Sequence, residues 1–256
     1  MTVRVCVAGA TGWVGQPLAA AIQATGDLEL VAAVAHHGRG QKLGPLTIVG
    51  SVREALTVPS DVFVDYTSAS AVRSHVLSAL AAGRHVVVGS SGLTDRDFQE
   101  IHEAATSARV GVIAVGNFAI TAALLQRFAL EAARHLSSWE IIDTAHAGKI
   151  DAPSGMAREL AWRLSEVRPP EIEVPVDRTV GDAAARGADV NHSRVHSVRL
   201  PGNTIGLEVQ FGQQDERLTL KYDGGPGATP YIAGTLLAIR RVHEFVGVVR
   251  GLDRLL

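Results

Sequence analysis

Hydrophobic and polar positions along residues 1–118 separate into two kinds of element. Short, nearly continuous apolar runs at Val3–Ala8, Leu28–Ala35, Val62–Asp65, His85–Gly89 and Val110–Val115 read as buried strands. Segments of helical period fill the gaps at Gln16–Thr25, Ala69–Ala82 and Thr94–Thr106. Thr94 with Asp97 three residues on forms a capping-box pattern that opens the last of these. Strand and helix in alternation, with strands apolar on both faces, predict an α/β fold with a doubly wound parallel sheet. The polar, Gly-rich segment His36–Gly44 reads as a flexible loop.

The pattern changes after Phe118. A long helix is predicted over Ile120–His135, then a strand at Trp139–Ile142 and an amphipathic helix over Met156–Val167. Arg168–Asp189 shows little periodicity and reads mainly as loop. Strand-like runs follow at Val190–Leu200, Thr204–Phe211 and Arg217–Tyr222, and the short turns between them predict antiparallel hairpins. A final helix runs from about Pro230 to Phe245, with Pro230 near its first turn. Residues 1–118 are therefore expected to form one domain. Residues 119–227 form a second, α+β domain with an open, mostly antiparallel sheet.

The bulk numbers narrow the functional classes. The chain has 256 residues, 46% hydrophobic and 20% charged, with a formal net charge of −2. That balance gives no electrostatic footprint for nucleic acid, and no apolar run approaches the ~18 residues that span a membrane. Cys6 is the single cysteine, so no internal disulfide can form and a reducing cytoplasm is expected. No His, Cys and Asp cluster has metal-ligand spacing, so no metal is expected.

Two stretches carry chemistry. Gly9-Ala10-Thr11-Gly12-Trp13-Val14-Gly15 follows the first strand and opens the first helix, a place where backbone amides can approach a pyrophosphate. This context predicts a Rossmann-type dinucleotide site. The second strand ends in Val34-Ala35-His36-His37-Gly38-Arg39, without the acid that would bind a ribose 2′-hydroxyl. Imidazoles and a guanidinium suit a 2′-phosphate better, so NADPH is the expected cofactor and NADH the alternative. Gly89-Ser90-Ser91-Gly92 and Gly116-Asn117-Phe118-Ala119 also fall at carboxyl ends of predicted parallel strands, where such sheets hold ligands.

The second stretch is Lys149-Ile150-Asp151-Ala152-Pro153-Ser154-Gly155, which leads into a helix. Amides at a helix start bind carboxylates, and Lys149 can add a charge or a proton. Ser154 reads as a helix cap and Asp151 as a capping or turn residue. His196 and Arg199 face either the substrate or the core or an interface. His75, His102, His135, His192 and His243 read as surface or packing residues.

Taken together, these motifs resemble the 4-hydroxy-tetrahydrodipicolinate reductase (dihydrodipicolinate reductase) family. Its glycine loop, Gly-Thr-Thr-Gly turn, Ala-Asn-Phe-Ser turn and Lys-x-Asp-Ala-Pro-Ser-Gly-Thr run correspond here to residues 9–15, 89–92, 116–119 and 149–156. His196–Gly202 and Gly234–Val242 extend the likeness over almost the whole chain. The resemblance implies a nucleotide domain, a substrate domain that also carries oligomerisation, and a C-terminal helix (about 228–256) packed back on the first. It implies hydride transfer from NADH or NADPH to a cyclic imine carboxylate of the lysine and diaminopimelate pathway, in a homotetramer. By resemblance Lys149 is the proton donor and His146 a substrate-binding residue. Gly155 and Met156 are the helix-start pair that, next to Ser154, holds a carboxylate. The glycine loop, His37, Gly89, Ser90, Ser91, Gly116, Asn117, Phe118 and Ala119 are the cofactor residues.

Three departures qualify that reading. The family has two adjacent histidines where this chain has Ala145-His146, and the missing first one is its catalytic acid. Met156 replaces a threonine, and glycines fill Gly224-Gly225-Pro226-Gly227, where a substrate-side arginine is expected. The expectation is a reductase with altered substrate choice. A dinucleotide-binding redox sensor or an inactive paralogue is the alternative, whereas a semialdehyde dehydrogenase is set aside because Cys6 lies inside a strand.

Overall fold

The computed structural model describes residues 2–256 and resolves two compact units. The first comprises the chain up to Ile120 together with Ala228–Leu256, and the second is Thr121–Gly227.

The first unit begins with β1 (Val3–Ala8), α1 (Gly15–Ala24) and β2 (Leu28–Val34). A small hairpin of β3 (Lys42–Leu43) and β4 (Leu46–Thr47) and the one-turn α2 (Val52–Ala55) follow. Next come β5 (Val62–Asp65), α3 (Val72–Ala81), β6 (His85–Val88), α4 (Asp95–Ala108) and β7 (Gly111–Ala114). The linker helix α5 covers Ile120–His135. The second unit continues with β8 (Ser138–Ala145), α6 (Gly155–Val167), β9 (Ala188–Val190), β10 (Ser193–Arg199), β11 (Ile205–Gln213) and β12 (Glu216–Gly224). The chain ends with α7 (Thr229–Arg241) and β13 (Gly247–Arg250), both in the first unit.

The first unit's sheet has the order β13-β7-β6-β5-β1-β2, all strands parallel. This is the doubly wound arrangement that the apolar runs predict. Its core joins Phe63, Val86 and Val112 on the strands to Val76, Leu80 and Ile101 on α3 and α4. The Thr94–Asp97 capping box is present at the start of α4. No strand was expected at residues 247–250; β13 escapes notice because only two residues separate its Val248-Val249 pair from the end of the preceding helical run. The predicted loop His36–Gly44 holds over residues 36–41, and only its end, Lys42–Leu43, joins the β3–β4 hairpin, beside a Val34–Val49 bridge.

The second unit's sheet has the order β12-β11-β8-β10-β9, with only the β8–β10 pair parallel. The β11–β12 hairpin forms as expected. The hairpin expected across Pro201–Asn203 does not form, because β8 lies between β10 and β11. Local turn chemistry cannot report a strand inserted from ~60 residues upstream. β8 also runs to Ala145, beyond the predicted Trp139–Ile142, and its Trp139, Ile141, Asp143 and Ala145 alternate onto a buried face. Among the described residues no helix is long and apolar enough to cross a membrane.

Candidate active site

The cofactor motifs converge at the carboxyl ends of β1, β5, β6 and β7. Gly9 has φ of +84°, and a Cβ there would stand 2.1 Å from the Tyr66 carbonyl oxygen. A Cβ on Gly15 would stand 1.9 Å from the Gly9 carbonyl. Only glycine permits this packing of loop against strand and helix start. Ala10 is buried, whereas Thr11, Gly12 and Trp13 are exposed and Val14 is half-buried. The Thr11 hydroxyl donates to the His37 carbonyl at 3.1 Å, joining the glycine loop to the end of β2. The His36 and His37 rings lie edge-on at 4.9 Å and are exposed. Trp13 meets Tyr231 edge-on at 5.5 Å.

Tyr66 organises this region and was not singled out from the sequence. Its ring closes against Gly89, where a Cβ would come within 2.2 Å, and lies 6.0 Å from the Phe118 ring. Its hydroxyl sits 2.6 Å from the Thr235 hydroxyl on α7, and burial pushes its pKa up. Beside it, the fully buried Asp65 carboxylate gathers two loops. It accepts from the Ser90 hydroxyl at 2.6 Å, from the Thr67 amide and hydroxyl at 3.1 and 2.8 Å, and from His75 Nδ1 at 2.9 Å. His75 is thus a partner of a buried acid and not a free surface residue. The Ser90 hydroxyl is engaged within the protein, while Ser91 stays exposed. Asn117 accepts from the Ala119 amide at 2.8 Å; Phe118 and Ala119 are buried and Gly116 is exposed. The one signal available beforehand was an acid ending an otherwise apolar strand, because such an acid must be paired.

In the second unit, residues 146–154 leave the end of β8 and are held from below by a buried ion pair. Asp143 on β8 is fully buried, and its Oδ2 accepts from Arg199 Nη2 at 2.7 Å, the Ser154 amide at 2.9 Å and the Ser197 hydroxyl at 3.1 Å. Burial alone would push its pKa up, but these donors, Arg199 foremost, hold it below the ordinary carboxylate value. Arg199 Nη2 also donates to the Asp151 carbonyl at 2.7 Å. Arg199 is therefore turned inward as a clamp on the loop and does not face an open site. His196 is likewise engaged, 2.7 Å from Glu140. A cleft of about 340 Å³ behind the loop is lined by Ala152, Pro153, His196 and Ser197 among others, and both of its polar side chains have partners within the protein.

At the loop itself, Lys149 Nζ lies 2.6 Å from Asp151 Oδ1, with both side chains about one-quarter exposed. Asp151 is thus a lysine partner and not a cap. Ser154 is the N-cap, accepting from the Ala157 amide at 3.3 Å. Because its amide serves Asp143 and its carbonyl accepts from the Arg158 amide at 3.0 Å, Ser154 builds the helix start and keeps only its hydroxyl hydrogen for a ligand. The position a Cβ would take on Gly155 has no atom within 4 Å, so that face is open. The Met156 side chain is buried, which leaves only its backbone for the expected binding role. The His146 ring is exposed, and its amide bonds the Thr204 carbonyl at 3.2 Å. Ala145 is fully buried and pairs with Arg199 on one side and Ile205 on the other; Ile205 in turn pairs with Gly224. Two of the three departures therefore share one row across the end of the sheet.

Cys6 is buried, and burial raises its thiol to about 12, so it offers no thiolate. Among the described residues no group of three or more His, Cys, Asp or Glu is placed to hold a metal ion.

Comparison with known proteins agrees with the fold and identifies the family. Residues 3–118 match the family model "Dihydrodipicolinate reductase, N-terminus", and residues 121–256 match "Dihydrodipicolinate reductase, C-terminus". The 4-hydroxy-tetrahydrodipicolinate reductase of Desulfitobacterium hafniense is 35% identical over 99% of this chain and 98% of its own. That of Nocardia farcinica is 38% identical, again over 99% and 98%. A dipicolinate-bound dihydrodipicolinate reductase from Paenisporosarcina sp. TG-14 superimposes over 100% of both chains with a TM-score of 0.80 and 31% identity. An NAD complex of GenD2 from gentamicin A biosynthesis shares the fold at 15% identity and a TM-score of 0.68. The chain belongs to the dihydrodipicolinate reductase family.

Proposed function

We propose that the chain is an NADPH-dependent reductase that transfers hydride to a cyclic imine or enamine bearing a carboxylate. The observation that carries this is Lys149, held by Asp151 at 2.6 Å beside the open helix start at Gly155. The cofactor is read as lying along the glycine loop, with its pyrophosphate at the start of α1. The nicotinamide end then belongs beside Ser91 and Gly116, and the 2′-phosphate beside His37. His146, exposed at the start of the loop, and the Gly155–Met156 amides complete the substrate side. When bound, the dinucleotide supplies the hydride. The chain's own residues hold the acceptor's carboxylate and deliver a proton from Lys149 Nζ as negative charge develops.

The cofactor assignment gives a direct expectation. His37→Asp places a carboxylate where a 2′-phosphate would lie and should move the NADPH-to-NADH ratio of kcat/KM about 10- to 100-fold toward NADH. Paired steady-state assays measure it; an unchanged ratio would remove His37 from the site.

A narrower reading, in which the substrate differs from dihydrodipicolinate, is favoured by the row Arg199–Ala145–Ile205–Gly224. Within it only Arg199 is polar, and it is committed to Asp143 and the Asp151 carbonyl. The missing imidazole at 145 removes a group whose loss costs ~10²–10⁴ in rate where it acts as general acid. Dihydrodipicolinate should accordingly be a slow substrate with NADPH. Turnover at ordinary enzymatic rates would sink the altered-substrate reading.

Assembly into a homotetramer through the second unit's sheet is part of the same proposal. The mostly exposed edge strand β12 and the half-buried Ile142, Thr144 and Val198 support it. A reducing cytoplasm is the proposed site of action, supported by the lone, buried cysteine.

A further inference from the structure

The charges around the start of α6 do not balance. Lys149 and Arg158 both approach one carboxylate, Asp151: Lys149 Nζ at 2.6 Å from Oδ1, and Arg158 Nη2 at 3.9 Å from Oδ2. The helix start adds the positive end of its dipole, and the first turn of α6 contains no acid. Asp143, the other carboxylate near this start, is already matched by Arg199 at 2.7 Å. Glu159, next along α6, is buried on the helix's packed side. Two cations and a helix N-terminus therefore share one available counter-charge. A cation in the opening turns of a helix is ordinarily unfavourable, so this arrangement is stabilised when an anion arrives.

Arg158 is suited to meet that anion. Its side chain is 47% exposed, and Asp151, at the limit of ion-pair distance, is its only ion-pair partner among the described residues. Asp151 Oδ2 is buried and makes no hydrogen bond, so the contact with Arg158 is electrostatic rather than a closed fork. The guanidinium and the Lys149 ammonium approach the two oxygens of the same carboxylate, and Gly155, between them in the chain, has open space where a side chain would be. A planar guanidinium with several donors matches a carboxylate bidentately, which a single ammonium cannot do.

We propose that Arg158 is a carboxylate-binding residue of the substrate site, which determines that an acid-bearing substrate is accepted. This rests on the reading of residues 149–155 as the substrate cradle. Arg158 takes up one substrate carboxylate from the α6 side, while Asp151 keeps Lys149 in place for proton delivery. The cationic contact absent from the row Ala145–Ile205–Gly224 is thereby supplied from the helix.

The test is calorimetric titration of dipicolinate, a planar dicarboxylate that cannot accept hydride in the same way, into the full chain holding NADPH. Arg158→Leu should weaken dipicolinate binding about 10- to 100-fold, and Arg158→Lys should recover part of it. NADPH affinity and the melting temperature should stay at the parent's values, because the side chain is half exposed and its one ion pair is at the limit of distance. Dipicolinate affinity within twofold of the parent in Arg158→Leu, with a clear loss in Lys149→Ala, would overturn the Arg158 assignment alone. Failure of the parent chain to bind dipicolinate at all would overturn the cradle reading, and the Arg158 assignment with it.

Discussion

Lys149→Ala is expected to lower kcat by ~10²–10⁴ while leaving NADPH affinity unchanged, the loss typical of a positioned proton donor. The lysine is held for this task. Asp151 fixes its ammonium at 2.6 Å, and Arg199 and Asp143 fix the loop that carries both. Since Lys149 is only three-quarters covered and its ion pair is partly solvated, its removal should cost little stability. The separation is the diagnostic: a loss of turnover with an unchanged melting profile places Lys149 in the chemistry. If KM alone rises, Lys149 holds the substrate and another group supplies the proton.

The second large effect is structural. Arg199→Met leaves the fully buried Asp143 carboxylate without its cation and should destabilise the second unit by roughly 3–5 kcal/mol. Turnover should fall too, because the Asp151 carbonyl loses the donor that anchors the loop. The pH dependence has a definite sign. Asp143 titrates below the ordinary 3.8 in the folded chain, so the pair's stabilisation is complete above that pH. It is lost as pH falls through the lower folded value. The stability gap between parent and Arg199→Met, measured by urea unfolding, should be full at neutral pH and narrow toward acid. A gap that is constant with pH would mean the arginine acts through packing alone. Adding Asp143→Asn to Arg199→Met should recover part of the loss, because the amide carries no charge to strand.

The first unit was largely legible in the sequence because its strands are buried on both faces and its connections are local. A run such as Val62-Phe63-Val64 has one reading in that setting, and the Thr94–Asp97 box marks its helix start without ambiguity. The second unit was less legible, because its sheet order depends on a strand inserted from far away. The turn at Pro201–Asn203 is real, yet β10 and β11 pair with β8 and not with each other. The site divides in the same way. Local signals were sufficient for the glycine loop and for the helix cap at Ser154, since each depends on neighbours in the chain. The groups that hold these loops in place, Asp65 with His75 and Asp143 with Arg199, pair across 10 and 56 residues. No spacing rule distinguishes such a residue from any other acid, histidine or arginine. Arg158 was invisible for a related reason: its meaning comes from Asp151 and Lys149, seven and nine residues before it, brought back by the turn into α6.

The central claim is that a dinucleotide-binding chain uses Lys149 and the start of α6 to reduce a carboxylate-bearing cyclic imine. The most direct test follows NADPH oxidation at 340 nm with dihydrodipicolinate and a panel of cyclic imine mono- and dicarboxylates, for the parent chain and Lys149→Ala in parallel. The account predicts consumption with at least one of these acids at ordinary turnover, on the order of 1–10³ per second, and its near-complete loss in Lys149→Ala. NADPH that binds the parent chain but is consumed with none of them would contradict it and identify a dinucleotide sensor instead.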